Sequence, residues 1–111
     1  MLRASLRISK ALFPLLMGGK SFAGEFFSVK VSASPDKATS RFAFVVSKKV
    51  AKTAVMRNRL RRRGYAALRP LIPSLARGRL VGFFAKNNAV LAPTSKIALD
   101  IRAILTKSGM F

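Results

Sequence analysis

Residues 41–63 read RFAFVVSKKVAKTAVMRNRLRRR, and within this stretch a strand pattern gives way to a helix pattern. Phe42, Phe44 and Val46 alternate along residues 41–47, and the residues between them are mostly apolar as well. A continuous apolar run of this length predicts a strand that is buried on both faces.

The second half of the stretch predicts a basic helix. Thr53 is a suitable N-cap, and Pro70 disfavours helix continuation, so we expect a helix over residues 54–69. A rotation of about 100° per residue sorts its side chains into faces. The predicted buried face, with Leu68 at its edge, holds Met56, Leu60, Gly64 and Ala67. The predicted exposed face holds Asn58, Arg62, Tyr65 and Arg69.

The segments on either side complete one small domain over residues 1–111. Apolar periodicity and turn residues predict a helix at 9–17, strands at 26–33 and 80–86, and a helix from Thr94 or Ser95 to about 107. The short loop at 34–40 suggests that the first two strands form an antiparallel pair. The order α-β-β-α-β-α predicts an α+β sandwich whose sheet is covered by helices on one face.

Composition excludes most kinds of protein-centred chemistry. The 111 residues include 22 Lys and Arg, three Asp and Glu, no His and no Cys. Without Cys there is no disulfide and no thiol nucleophile, and without His the usual general base and the commonest metal ligand are missing. The acids Glu25, Asp36 and Asp100 are far apart in sequence. We therefore expect no catalytic residue and no metal site in this chain.

A net charge of +19 calls for an anionic partner. Nucleic acid fits, because each phosphate that a cation neutralises releases counterions and adds affinity. An anionic membrane is the alternative, but the longest apolar runs fall far short of the roughly 20 residues that cross a bilayer. The start of the chain is similar to a signal or transit peptide, because three cations precede the apolar residues 11–17: Arg3, Arg7 and Lys10. Pro14 within that run argues against this interpretation.

The basic segment carries eight cations and no acid between residues 48 and 63. A solvated helix face usually mixes charge signs, whereas a run of one sign costs repulsion. The arginine guanidinium group forms bidentate hydrogen bonds to phosphate oxygens and stacks on bases. The segment therefore favours nucleic-acid binding over a merely solvated surface.

Residues 44–49 (FVVSKK) and 54–62 (AVMRNRLRR) resemble the signature of the bacterial ribonuclease P protein component. Weaker similarity extends over most of the chain. The resemblance implies the fold of the second domain of a ribosomal small-subunit protein, with a left-handed βαβ crossover. Such a crossover is rare.

The resemblance also implies a role in transfer RNA maturation. The holoenzyme removes the 5′ leader of precursor tRNA, and its catalytic groups and Mg²⁺ belong to a large RNA. Residues expected to contact that RNA are Lys48, Lys49, Lys52, Arg57, Asn58, Arg59, Arg61 and Arg62. Residues expected to contact the precursor tRNA leader are Phe13, Phe27, Lys30, Arg41 and Phe44. For the three phenylalanines, core packing is the alternative.

Two positions in the predicted basic helix depart from the family pattern, and in the predicted N-terminal helix Pro14 and Leu16–Met17 replace a more polar segment. Gly64 stands where the family has a large aliphatic residue, so we expect a packing gap there. Tyr65 stands where a basic residue is common, and its ring is expected on the exposed face. We expect a cytoplasmic protein that needs no membrane and no protein partner. The alternatives are a structural, ribosomal-type RNA-binding protein and a cationic exported or membrane-active protein.

Overall fold

The computed structural model describes residues 4–111, so Arg3 of the signal-like segment lies outside it. Seven elements build the fold. They are α1 (Phe13–Met17), β1 (Lys20–Ala23), β2 (Phe27–Ala33), β3 (Arg41–Val45), α2 (Ala54–Leu68), β4 (Arg79–Ala85) and α3 (Thr94–Lys107). Short 3₁₀ turns stand at Ala4–Leu6, Lys10–Leu12, Arg69–Ser74 and Asn87–Ala89.

The four strands form one sheet in the order β1-β2-β4-β3. β1 and β2 are antiparallel, β2 and β4 are antiparallel, and β3 and β4 are parallel. The α+β class is confirmed, and β3, α2 and β4 form a βαβ unit. The handedness of that unit stays a prediction.

One prediction about the sheet is wrong, and one strand of the sheet was not predicted. β2 and β3 do not pair with each other, because β4 lies between them. β4 is apolar on both faces, which suits a central strand, and α2 returns the chain beside β3 in the parallel direction. The additional strand β1 was not predicted, since its four residues KSFA carry too short a pattern.

Helices cover both faces of the sheet, and not one face as expected. On the first face, α2 and α3 pack on a core that includes Phe27, Phe42, Phe44 and Phe83. On the second face, Leu16 of α1 lies over Gly82, where an added Cβ would come within 2.6 Å of the leucine side chain. α1 is shorter than predicted because a 3₁₀ turn precedes it and Pro14 stands in its first turn.

The caps of the two long helices differ. The Thr53 side chain accepts a hydrogen bond from the Met56 amide at 3.2 Å, which confirms the predicted N-cap of α2. α3 begins after Pro93, and neither Thr94 nor Ser95 caps it. No helix within residues 4–111 has the length and apolar character needed to cross a bilayer.

The carboxylate of Asp100, in the middle of α3, holds the turn between β1 and β2. It accepts hydrogen bonds from the backbone amides of Glu25, Phe26 and Phe27 at 2.8, 2.9 and 3.2 Å. Lysine side chains bind two carbonyls at the same turn: Lys86 donates to Gly24 at 2.5 Å and Lys107 to Ala23 at 3.1 Å. The turn is thus tied to α3 and to the end of β4.

Candidate nucleic-acid interface

The exposed face of α2 is basic, as predicted, but it is rotated from the predicted position. The exposed residues of α2 are Ala54, Val55, Met56, Asn58, Arg59, Arg62 and Ala66, and Arg69 just beyond its end is exposed as well. The buried residues are Leu60, Gly64, Tyr65 and Leu68, whereas Met56 is 39% exposed. The rotation arises because α2 packs against both the sheet and α3, a tertiary arrangement that the helix sequence alone does not specify.

Tyr65 is buried, so its predicted place on the exposed face is wrong. Only 6% of the residue is exposed. Its ring lies edge-on to that of Phe44, with 4.9 Å between the centroids, and its hydroxyl oxygen accepts a hydrogen bond from the Phe44 amide at 3.3 Å. The ring cannot stack on a base in this arrangement.

The predicted gap at Gly64 is also wrong. A Cβ built on Gly64 would lie 2.5 to 2.9 Å from three ring atoms of Phe44. The phenylalanine ring therefore fills the space that a larger helix residue would need, and Gly64 lets α2 approach β3 closely.

The loop before α2 presents three lysines. The amides of Val50 and Ala51 both donate to the Ser47 carbonyl at 3.1 Å, which closes a tight turn. Ala51 is buried and anchors this turn. Around it, the loop leaves these residues exposed: Lys48, Lys49 and Lys52.

The arginines of α2 do not all have the same role. Arg57 is partly buried, and its Nη1 donates to the carbonyls of Ala51 and Lys52 at 2.9 and 3.2 Å. Arg57 thus holds the loop onto the helix. Arg61 donates to the side-chain oxygen of Asn58, which fixes that amide next to a guanidinium.

Together these residues form one surface, which we call the α2 surface. Arg59 and Arg62 are exposed and lie beside the Asn58–Arg61 pair. The structure brings all eight residues of the first predicted group to this surface or its edge: Lys48, Lys49, Lys52, Arg57, Asn58, Arg59, Arg61 and Arg62. None of the three acidic side chains belongs to α2 or its preceding loop.

The second predicted group divides between the two faces of the sheet. Phe27 is completely buried and Phe44 is 4% exposed, both in the core beneath α2 and α3, so their predicted contact with a leader is wrong. The reason is strand alternation. Phe27 lies three residues from Lys30, and Phe44 three from Arg41, and an odd spacing along a strand places side chains on opposite faces.

Lys30, Arg41 and Phe13 do share the second face, next to α1. The Lys30 ammonium donates to the Met17 carbonyl at 3.4 Å. The Arg41 guanidinium donates to the Arg7 carbonyl at 3.1 Å. The Phe13 ring is half-buried against the small cluster around Leu16.

Phe84 on β4 is the aromatic residue that the sequence prediction missed. It is half-buried on the second face, and it pairs in register with Ser28 of β2 and Val45 of β3. Alternation along β4 places it with Leu80 and Gly82, opposite Val81 and Phe83, and that pattern could have identified it. We call the partly exposed area that includes Ser28, Lys30, Val45 and Phe84 the sheet cleft.

The three carboxylates do not come together as one cluster among the described residues. Within residues 4–111 no three acidic side chains lie close enough to hold a metal ion. Asp100 is engaged by three backbone amides, and Asp36 accepts a hydrogen bond from the Ala38 amide at 2.9 Å. The described residues therefore offer Mg²⁺ no cluster of three or more acidic side chains.

Comparison with known proteins supports the pattern of elements and motifs. The sequence profile of the family described as Ribonuclease P matches residues 3–109. A ribonuclease P protein component from a Synechococcus species is 31% identical over 108 residues, which covers 95% of this chain and 81% of that protein. Another from Microcystis aeruginosa is 30% identical over 95 residues, covering 83% of this chain and 79% of that protein.

Solved structures share the fold at lower identity. The Staphylococcus aureus RNase P protein superposes with a TM-score of 0.85 at 22% identity, over 98% of this chain and 99% of that one. The RNase P protein from Thermotoga maritima superposes with a TM-score of 0.79 at 20% identity, over 95% of this chain and 97% of that one. The family match over nearly the whole chain and the relatives at 30% identity or more lead to one assignment: this chain belongs to the ribonuclease P protein family.

Proposed function

We propose that this chain is the protein subunit of ribonuclease P, which binds the catalytic RNA and the 5′ leader of precursor tRNA. In this proposal it assists the hydrolysis of one phosphodiester that releases the leader, and the reacting groups and the Mg²⁺ ions belong to the RNA. The observation that carries the proposal is the α2 surface, where lysines and arginines meet without a carboxylate, in a chain of this family.

The α2 surface suits a folded RNA. Arg59 and Arg62 are exposed and free to contact phosphates in pairs of hydrogen bonds, and Lys48, Lys49 and Lys52 extend the cationic area around the helix start. Each phosphate neutralised releases counterions, so affinity for the RNA is expected to fall steeply with salt. Asn58, held by Arg61, can donate its amide hydrogens to a base or a sugar.

The sheet cleft suits a single strand. Phe84 and Phe13 offer partly exposed rings for base stacking, and Lys30 and Arg41 lie on the same face to accompany the backbone. Stacking of this kind is tolerant of sequence, because every base has a π face. That property fits leaders that differ from one tRNA precursor to the next.

The chain itself supplies no reacting group in this mechanism. It has no His or Cys, and the carboxylates of Asp36 and Asp100 are engaged by backbone amides. Its contribution is electrostatic and positional: it reduces the repulsion between two RNA molecules and holds the leader. A lower Mg²⁺ requirement for cleavage is the expected consequence. The site of action is the cytoplasm, and no membrane or second protein is needed.

The test combines the full chain, its cognate catalytic RNA and a precursor tRNA at low Mg²⁺. The protein is expected to raise the cleavage rate and to increase affinity for a precursor with a leader more than for one without. Unchanged rate and affinity would overturn the proposal. If the chain is instead a structural, ribosomal-type protein, ribosomal RNA will co-purify with it and cleavage will not respond.

A further inference from the structure

An apolar notch lies between α2 and the loop that joins β4 to α3. Its volume is about 150 Å³, and in another protein a cavity of about that size holds one benzene ring. Four aliphatic side chains and two arginines line it: Met56, Leu60, Val90, Leu91, Arg59 and Arg63.

Leu91 is presented to solvent by a loop that is itself held in place. The residue is 91% exposed, whereas Ala89 and Ala92 on either side are buried. The Ala92 amide donates to the Ala89 carbonyl at 3.2 Å, and the Arg63 guanidinium donates to the Ala92 carbonyl at 3.4 Å. The leucine adds almost nothing to the core, so its contribution to folding is small.

The notch is continuous with the α2 surface. Met56 is 39% exposed at its wall, and Arg59 belongs both to the notch and to the exposed basic face. Aliphatic walls with guanidinium groups beside them complement a flat ring that can pack through its face and that carries a nearby anion. An unpaired nucleotide has both parts, whereas an aliphatic protein side chain would need separate carboxylates to match the arginines.

We propose that this notch receives one unpaired nucleobase of the catalytic RNA, packed against Leu91 and Met56, with an adjacent phosphate on Arg59 or Arg63. This inference rests on the proposed function and deepens it, because it adds the loop at Leu91 to the interface. It also gives the α2 surface one contact that depends on shape and not on charge.

The first experiment compares Leu91→Ser with Leu99→Ser. Leu99 is also an exposed leucine, at 69%, but it lies on α3 and does not line the notch. Filter binding of each full-length variant to the catalytic RNA is measured over a range of salt concentrations. We expect Leu91→Ser to weaken binding about tenfold, because the leucine is no longer buried against a base, without changing the salt slope, because no cation is lost. Leu99→Ser should bind like the wild type.

The second experiment locates the base. Chemical probing of the catalytic RNA is expected to show one unpaired nucleotide that the wild type and Leu99→Ser protect and Leu91→Ser leaves reactive. Replacing that nucleotide by an abasic one should weaken binding of the wild type but have little further effect on Leu91→Ser. This lack of additivity is the mark of a direct contact.

The outcomes separate this inference from the proposed function. If the wild type does not bind the catalytic RNA, the proposed function fails and the notch proposal fails with it. If the wild type binds but Leu91→Ser has the same affinity and protections, the notch proposal alone is overturned, and the notch would suit an acidic protein segment instead. Coincident thermal melts of the three proteins show that lost binding is not lost folding.

Discussion

The ring of Phe44 occupies the position that a side chain at Gly64 would take, with as little as 2.5 Å between a ring carbon and an added Cβ. Tyr65 supports the ring from the side through an edge contact and through the hydrogen bond to the Phe44 amide. Phe83 stacks on it at 4.5 Å between centroids. The close approach of α2 to the sheet thus depends on a large residue on β3 and the smallest residue on α2.

Gly64→Ala is therefore expected to destabilise the protein. In an open helix the change would add about 1 kcal/mol of stability. Here the methyl group must displace a ring that is packed on three sides, and overpacking costs about 1–3 kcal/mol. We expect a net loss of about 1 kcal/mol in the free energy of unfolding, measured by urea denaturation. Combining the change with Phe44→Leu should recover part of the loss in a double-mutant cycle, and simple additivity would contradict the packing argument.

Asp100→Asn is expected to lower the free energy of unfolding by about 2–3 kcal/mol, because a charged acceptor of three backbone hydrogen bonds is lost. In this variant an NH₂ group replaces one carboxylate oxygen. It would face backbone N–H groups, and two donors cannot form a hydrogen bond with each other. Asp36→Asn is the matched control, since it removes the same charge from an exposed loop. If both variants lose equal stability, the effect comes from net charge and not from the turn between β1 and β2.

The arginines of α2 should separate into RNA contacts and structural contacts. The double variant Arg59→Ala/Arg62→Ala is expected to reduce the salt slope for RNA binding by about two and to leave stability within about 0.5 kcal/mol of the wild type. Lys20→Ala/Lys37→Ala removes two charges elsewhere and should change the slope much less.

Arg57→Ala should instead cost about 1 kcal/mol of stability, because its two hydrogen bonds to loop carbonyls are lost. Thermal or urea unfolding measures this loss directly. An Arg57→Ala protein with wild-type stability and a reduced salt slope would show that Arg57 contacts RNA and does not hold the loop.

Phe84→Leu is expected to weaken binding of a precursor that carries a leader by about fivefold or more, the loss of one stacked base. Binding of a tRNA without the leader should not change. Phe111→Leu is the control, because Phe111 is a partly exposed phenylalanine at the far end of the chain, beneath Arg102. If the wild type and Phe84→Leu bind the precursor that carries a leader with equal affinity, Phe84 does not contact the leader.

Local signals in the sequence were enough for most elements and for the basic surface. Thr53 caps α2 as predicted, and alternation located β2 and β4 to within a residue or two. The insertion of β4 between β2 and β3 was not predictable from the loop at 34–40, because strand order depends on contacts distant in sequence. The β1 turn likewise depends on Asp100, 75 residues away from Glu25.

The site residues also divide into those that the local sequence indicates and those whose position depends on contacts distant in sequence. The cations of α2 were found because a run of one charge sign is visible in the sequence alone. Tyr65 was placed on the wrong face because its burial depends on the pairing of Gly64 with Phe44. The prediction that Phe27 and Phe44 contact a leader is wrong, because their odd spacing from Lys30 and Arg41 puts them beneath the helices.

The central position of β4 has a consequence for synthesis on the ribosome. Within residues 4–111, β4 is the last strand of the sheet to be made, and it lies between the β1–β2 pair and β3. Until residue 85 has left the exit tunnel, the edges of β2 and β3 that β4 will cover stay open, and the sheet beneath the basic helix is unfinished. Closure of the sheet is therefore a late, long-range event, and the nascent chain must pass through a highly cationic, incomplete state close to ribosomal RNA.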